Sequence, residues 1–192
     1  MNATATFPPT SPAVPLLTAE EFLKLHGEES GVELVKGRLV RYPMPGGKHG
    51  QICGNAYFLL RAFVESRDLG RLMTNDTFVR VGTDPDTFRG ADVCFLSYSR
   101  LPKNCEIPDG PIPVPDLVVE VRSPTDRLNQ LTGKATEYLE AGVSAVVVLM
   151  PDTQTAAVYR SEELPIRLGS DEQLTLPDVL PGFAVAVRAF FQ

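Results

Sequence analysis

The order of strand and helix signals along this chain predicts an α/β or α+β core, a central sheet flanked by helices. Three observations carry that expectation. Residues 117–121, LVVEV, form a short β-branched run set off by Pro115 and Pro124, the pattern of a strand buried on both faces of a mixed or parallel sheet. After Pro124 the apolar period changes, with Leu128, Leu131, Ala135 and Leu139 recurring at helical spacing. Two further segments, RGADVCFLS at 89–97 and SAVVVLM at 144–150, are apolar on both faces and read as deeply buried strands.

Each element follows in order. Residues 1–15, MNATATFPPTSPAVP, hold no basic residue and no apolar core segment; they read as a disordered lead and not as a secretory signal, leaving 16–192 as one domain. Leu16 to about Gly27 opens with Thr18 and Glu21, a capping-box pair, and Phe22 and Leu25 continue a helical face. Val32–Val35 and Arg38–Tyr42 are extended runs around Lys36 and Gly37, a hairpin with Glu33 at its entrance. The loop 43–50 feeds a long helix with Ile52, Ala56, Leu59, Leu60, Phe63 and Val64 on one face and Gly70 past its end. Arg71–Met73 and Thr77–Val81 read as strands, and Asp84–Thr87 as the turn after them. Residues 101–115 carry five prolines and read as an irregular surface loop. In the helix after Pro124, Thr125 or Asp126 is the expected N-cap and Gly142 the C-cap. Ser144–Met150, a turn at 152–154 and Thr155–Arg160 make a second hairpin; Leu174–Leu176 and 182–191 read as short edge strands and a terminal segment.

The chain has 192 residues, 43% of them hydrophobic, enough for a sizeable core, and no apolar run of membrane-spanning length. A formal net charge of −6 argues against a protein whose main business is coating nucleic acid. It does not exclude an enzyme whose carboxylates hold divalent metal while positive charge is concentrated locally. Cys53, Cys94 and Cys105 show no metal-type spacing and cannot all pair, which points to a reduced cytoplasmic setting.

Asp92 and Glu120 each stand alone in an otherwise apolar strand. An ionised carboxylate there costs several kcal/mol or more unless a cation or strong donors meet it. From Glu120 to Pro124 is about 13 Å of strand, and from Pro124 to Lys134 about 15 Å of helix. A helix folded back over the sheet therefore returns Lys134 to the level of Glu120, with Gly133 beside it allowing close approach of backbone or ligand. Converging carboxylates are hard-oxygen ligands for Mg²⁺, and a nearby ammonium orients water or stabilises the phosphorus centre. The competing expectation is structural: Asp92 and Glu120 cap turns or pair with Arg89 and Arg122.

RGADVCFLS, then PDLVVEVRSPTD, then GKATEYLEAGV together resemble the Uma-two family of bacterial restriction-endonuclease-like proteins, which has the PD-(D/E)xK nuclease fold. The likeness runs from about Glu33, in VELVKGRLV, to the PGF at 181–183. It implies a restriction-endonuclease-like fold, a central mixed sheet flanked by helices with an additional hairpin. It also implies that Asp92 and Glu120 hold Mg²⁺ or Mn²⁺, that Glu33 is a further ligand or a support, and that His49 contacts a phosphate or a water. The superfamily lysine lies two residues after the glutamate, where this chain has Arg122, an always-protonated side chain that cannot serve as base. The resemblance instead places the lysine on the following helix, as Lys134. The motif proline is Ala91 here, and Tyr138 and Leu139 are expected in the core.

The resulting expectation is metal-dependent hydrolysis of DNA phosphodiester bonds, with Lys134 orienting the water and Arg122 or Lys48 gripping a phosphate. A homodimer would let a chain of this size span two strands. The alternatives are a non-catalytic nucleic-acid- or protein-binding module on the same scaffold, and a hydrolase of smaller phosphate esters.

Overall fold

The computed structural model describes residues 15–124 and 126–192, so the expected lead, Pro15 apart, and the candidate cap Thr125 lie outside the described residues. In chain order the elements are α1 (Ala19–His26), β1 (Val32–Val35), β2 (Arg38–Arg41), α2 (Gly47–Ser66), β3 (Gly70–Thr83), β4 (Asp86–Ser97), β5 (Leu117–Val121), α3 (Leu128–Glu140), β6 (Ala145–Met150), β7 (Thr155–Tyr159), β8 (Ile166–Leu168), β9 (Gln173–Leu176), β10 (Leu180–Ala186) and a 3₁₀ helix (Val187–Phe191). Eight strands form one mixed sheet in the order β2-β1-β4-β5-β6-β7-β8, with β3 also paired to β4. β5 and β6 are parallel, joined by α3 as a βαβ crossover, and the remaining pairs of this sheet are antiparallel.

Alternation along the central strands divides the core between the two faces. Leu117, Val119 and Val121 of β5, with Ala145, Val147 and Leu149 of β6, pack against Ile52, Ala56, Leu60 and Val64 of α2. Val118, Val146 and Val148 point the other way, against Leu131, Ala135 and Tyr138 of α3. Full burial of each such side chain contributes about 1.5–3 kcal/mol, so both helices are held chiefly by these stripes.

Local chemistry accounts for the ends of the elements. The Thr18 hydroxyl accepts from Glu21 N–H while the Glu21 carboxylate accepts from Thr18 N–H, the reciprocal box that starts α1. Lys36 and Gly37 at φ 50° and 72° make the tight turn between β1 and β2. At the end of α3, Val143 N–H donates to Tyr138 C=O and Gly142 N–H to Leu139 C=O, with Gly142 at φ 100°, the Schellman arrangement a glycine favours.

Several boundaries differ from the sequence expectation. α2 begins at Gly47, so His49 sits in its first turn and not before it. The helix ends at Ser66 and Asp68 takes the left-handed position, while Gly70 opens β3, where an added Cβ would lie 2.3 Å from the Leu96 carbonyl oxygen. The two runs at 71–81 are one 14-residue strand interrupted by a bulge, and β4 already starts at Asp86. The N-cap of α3 is Arg127, whose N–H donates to Gln130; Asp126 instead accepts from Ser123 N–H. The C-terminal segments are not edges of the main sheet. β9 and β10 pair with each other, and Leu174, Phe183, Val187 and Phe190 complete the core on the α2 face.

Candidate active site

β3 pairs along β4 from end to end, so β1 and β5 must share the other edge: β1 meets it at Phe88, β5 from Val93 to Phe95. Between them a stretch of β4 edge has no strand partner among the described residues, and a buried unpaired peptide group is costly. Side chains supply the missing bonds. Glu33 of β1 accepts from Gly90 N–H at 3.0 Å, and Lys134 of α3 donates to Gly90 C=O at 2.8 Å. A cavity of about 410 Å³ opens over this gap.

Glu120 projects from β5 to the α3 side and is 5% exposed. Lys134 Nζ donates to its Oε2 at 2.8 Å and the fully buried Tyr138 hydroxyl to its Oε1 at 3.0 Å. Burial pushes the Glu120 carboxyl up to about 8 against the pull of Lys134. Lys134 also lies 3.1 Å from Glu33 Oε1. Burial works against its charge, but Glu120 and then Glu33 hold it protonated well beyond the ordinary lysine range. Its ammonium is thus hydrogen-bonded to Glu120 and Gly90 C=O and ion-paired with Glu33. Arg89 is clamped between Glu33 and Glu137, both at 2.7 Å. Glu33 therefore spends its oxygens on Arg89, Gly90 and Lys134.

Asp92 lies where β4 breaks step. Ala91 and Val93, two residues apart, fall on opposite faces of the sheet, and the facing residues of β3, Asn75 and Asp76, form a bulge with φ 70° and 56°. Such irregularities re-aim side chains. Here Asp92 turns into the split between β4 and β5, its Oδ2 accepting from Val121 N–H at 2.7 Å and lying 3.4 Å from His49 Nε2. Asp92 first, and Cys53 next, push the His49 imidazole up to about 11. Asp76, exposed as a residue, still lines the cavity, where desolvation and then Asp92 raise its pKa.

Asp92, Glu120, Lys134, Glu33 and His49 are thus brought together around one cavity. Arg122 is not: its guanidinium reaches Asp152 at 3.3 Å and the Asp126 carbonyl, away from the cavity lining. Lys48 donates to Pro151 C=O at 3.4 Å. The structural alternative in which Arg89 and Arg122 pair with Asp92 and Glu120 is not what the fold adopts, since both arginines take other carboxylates. Gly133 admits no close backbone; a Cβ there would meet open space on the cavity side. Tyr138 is a core residue as expected, and it also fixes Glu120. Sequence reasoning missed Asp76, Glu137 and Cys53, and named Arg89 without its true partners, Glu33 and Glu137. The Asn-Asp pair at 75–76, apt for left-handed backbone, was the available sign of the bulge.

The residues fit a hard divalent ion. Glu33, Asp76, Asp92, Glu120, Asp126 and Glu137 line the cavity against Arg89, Lys134 and His49, an acidic excess. The contacts on Asp92 use Oδ2, and each Glu120 oxygen gives one lone pair to the protein and keeps another. Mg²⁺ needs one or two such carboxylates and keeps its waters.

Residues 19–188 match the model of the Uma2 family, described as "Putative restriction endonuclease". A crystal structure of "a putative nuclease belonging to DUF820" from Anabaena variabilis superposes with a TM-score of 0.80 at 25% identity, over 91% of this chain and 97% of that one. No curated protein matches the chain.

Proposed function

The chain belongs to the Uma2 family of restriction-endonuclease-like proteins, and from that premise we propose that it is a Mg²⁺- or Mn²⁺-dependent endonuclease hydrolysing DNA phosphodiester bonds. The observation that carries the reading is the unpaired edge of β4, where Asp92, Glu120 and Lys134 converge on one cavity. Asp92 and Glu120 would hold the ion, which supplies Lewis-acid stabilisation of the phosphoryl oxygens and activates water. Glu33 positions Lys134 and Arg89, its oxygens being already engaged. Lys134, held protonated, is a donor and not a base. Exchanging its bond to Glu120 for one to a water or phosphate oxygen would put a fixed positive charge where negative charge develops.

The family and the described fold support a nucleic-acid substrate; DNA, two-strand cutting by a homodimer and a cytoplasmic setting are part of the proposal. So is the reading of 16–192 as one domain, supported by a core cluster that runs from α2 through the sheet to Phe190. The three cysteines are free, in keeping with a reducing compartment. Among the described residues no helix is long and apolar enough to cross a membrane.

One observation favours a second reading. Lys134 is already engaged by Glu120, Gly90 C=O and Glu33, an arrangement that also suits a structural plug in a non-catalytic binding module. Cleavage of supercoiled plasmid and single-stranded DNA, with Mg²⁺, Mn²⁺ or EDTA, separates the two. Endonuclease chemistry requires metal-dependent cutting that Glu120→Ala and Asp92→Ala abolish while circular dichroism is unchanged. Full activity in Glu120→Ala would refute the assignment, and absence of both cutting and metal binding would favour the binding module.

A further inference from the structure

His49 and Cys53 stand one turn apart on the same face of α2, and Asp92 reaches them from β4, so that one ligand atom from each lies within 4.8 Å of the others. The imidazole is 3.4 Å from the Cys53 sulfur through Nδ1 and 3.4 Å from Asp92 Oδ2 through Nε2. Zinc binds nitrogen and oxygen at about 2.0–2.2 Å and sulfur at about 2.3 Å, so a tetrahedral shell sets such atoms about 3.4–3.6 Å apart, a spacing that the Nδ1 and Sγ pair already has. The His49 and Asp92 side chains are 12% and 11% exposed and line the cavity, which gives an ion its entry and a water its place as fourth ligand.

We propose that His49, Cys53 and Asp92 form a binding site for a thiophilic divalent ion of the Zn²⁺ type. The hard-ion chemistry proposed above has no use for a thiol, since Mg²⁺ favours carboxylate, carbonyl and water oxygens, whereas sulfur with imidazole selects softer ions. The charge closes: binding expels two protons to solvent, one from the Cys53 thiol and one from the His49 imidazolium, and one thiolate and one carboxylate around the neutral imidazole balance the two positive charges. An ion uses one ring nitrogen. Asp92 then either turns to share the ion with it or accepts from the other ring N–H and fixes the tautomer. The helix supplies the spacing, because residues four apart on one face bring imidazole and thiol to the same side.

The site shares Asp92 with the proposed catalytic centre, but ion binding is read directly and does not rest on cleavage. Metal-free protein carrying Cys105→Ser, which removes the exposed thiol, would be titrated with Co²⁺ followed by absorbance and with Zn²⁺ followed by calorimetry. The expected result is a thiolate-to-cobalt charge-transfer band that saturates at one equivalent, and one tightly bound equivalent of Zn²⁺. Adding Cys53→Ser should abolish the band and weaken Zn²⁺ at least about tenfold, and His49→Ala should weaken it likewise, with melting curves confirming the fold. No band in the starting protein, or a band and affinity that survive Cys53→Ser, would overturn the proposal. Zn²⁺ binding without Mg²⁺-dependent cutting would overturn the nuclease reading alone; cutting without a Zn²⁺ site would overturn only this one.

Discussion

Replacing Lys134 by Met keeps the length and apolar stem of the side chain but removes the ammonium. In the folded chain that ammonium lies 2.8 Å from Glu120, 3.1 Å from Glu33 and 2.8 Å from Gly90 C=O, with its own side chain 17% exposed and both carboxylates 6%. Lys134→Met therefore leaves Glu120 without its cation and the Gly90 carbonyl unpaired, while Glu33 keeps Arg89 and Gly90 N–H, and breaking a buried pair from one side costs about 3–5 kcal/mol. At about 2–4 °C per kcal/mol for a chain of this length, the melting temperature should fall by about 6–20 °C in metal-free buffer, read by scanning calorimetry. The cost comes from the lost cation, without which the Glu120 carboxyl, already raised to about 8, must take up a proton or stay buried as a bare charge, and not from lost packing. A second change, Glu120→Gln, should therefore restore much of the loss by neutralising the carboxylate nearest the missing cation, and the double-mutant cycle should show strong coupling. A Lys134→Met protein melting within about 2 °C of the parent, or one that Glu120→Gln fails to rescue, would refute the view that Lys134 is what allows Glu120 to lie in the sheet.

Tyr138→Phe removes the hydroxyl that donates to Glu120 Oε1 from a fully buried position, and should cost about 1–3 kcal/mol in urea denaturation. It should also weaken Mn²⁺ binding about 10–100-fold by calorimetry, as expected for a group that orients a ligand. Asp76→Asn preserves the left-handed backbone at φ 56° that asparagine tolerates, so its melting temperature should stay within about 2 °C of the parent while metal affinity drops; unchanged affinity would remove Asp76 from the site. Asp86 ties α1 to the β3–β4 hairpin by accepting from Ala19 N–H at 2.7 Å and Arg80 at 2.6 Å. Desolvation opposes its charge, but those two donors outweigh it and hold the carboxyl below its ordinary pKa. Its stabilisation is therefore present above the ordinary aspartate value and lost as pH falls through the lowered one. Asp86→Asn should cost about 1–2 kcal/mol at pH 7, and the difference from the parent should vanish in acid, by denaturation at each pH.

What was legible in the sequence was whatever depends on near neighbours. The box at Thr18 and Glu21, the Lys36-Gly37 turn and the change of period after Pro124 are decided within a few residues, and each appears in the fold. The return of Lys134 to Glu120 also followed from the chain alone, because strand and helix rises are constants and the intervening turn is short. The break at 74–76 was visible but read as a gap between two strands. Whether a strand ends there or bulges depends on β4, whose irregularity at Asp92 faces it across the sheet. The pairing of Arg89 with Glu137 was illegible for the same reason: nothing near either residue announces the other, 48 positions away.

The arginine at 122 bears on why the proposed lysine stands on the helix. Leu149 C=O accepts from Arg122 N–H where β5 ends, and the side chain leans out to Asp152 in the turn after β6. A lysine at that position would rise from the same strand as Glu120 and meet its carboxylate from the side. Lys134 descends from α3 instead, so one ammonium can reach Glu120 on β5, Glu33 on β1 and the bare carbonyl of Gly90 on β4. That reach across the gap is available only from above the sheet. It couples three strands that share no backbone hydrogen bond at this level, so the residue we propose to act on substrate is also the one that closes the sheet's open edge.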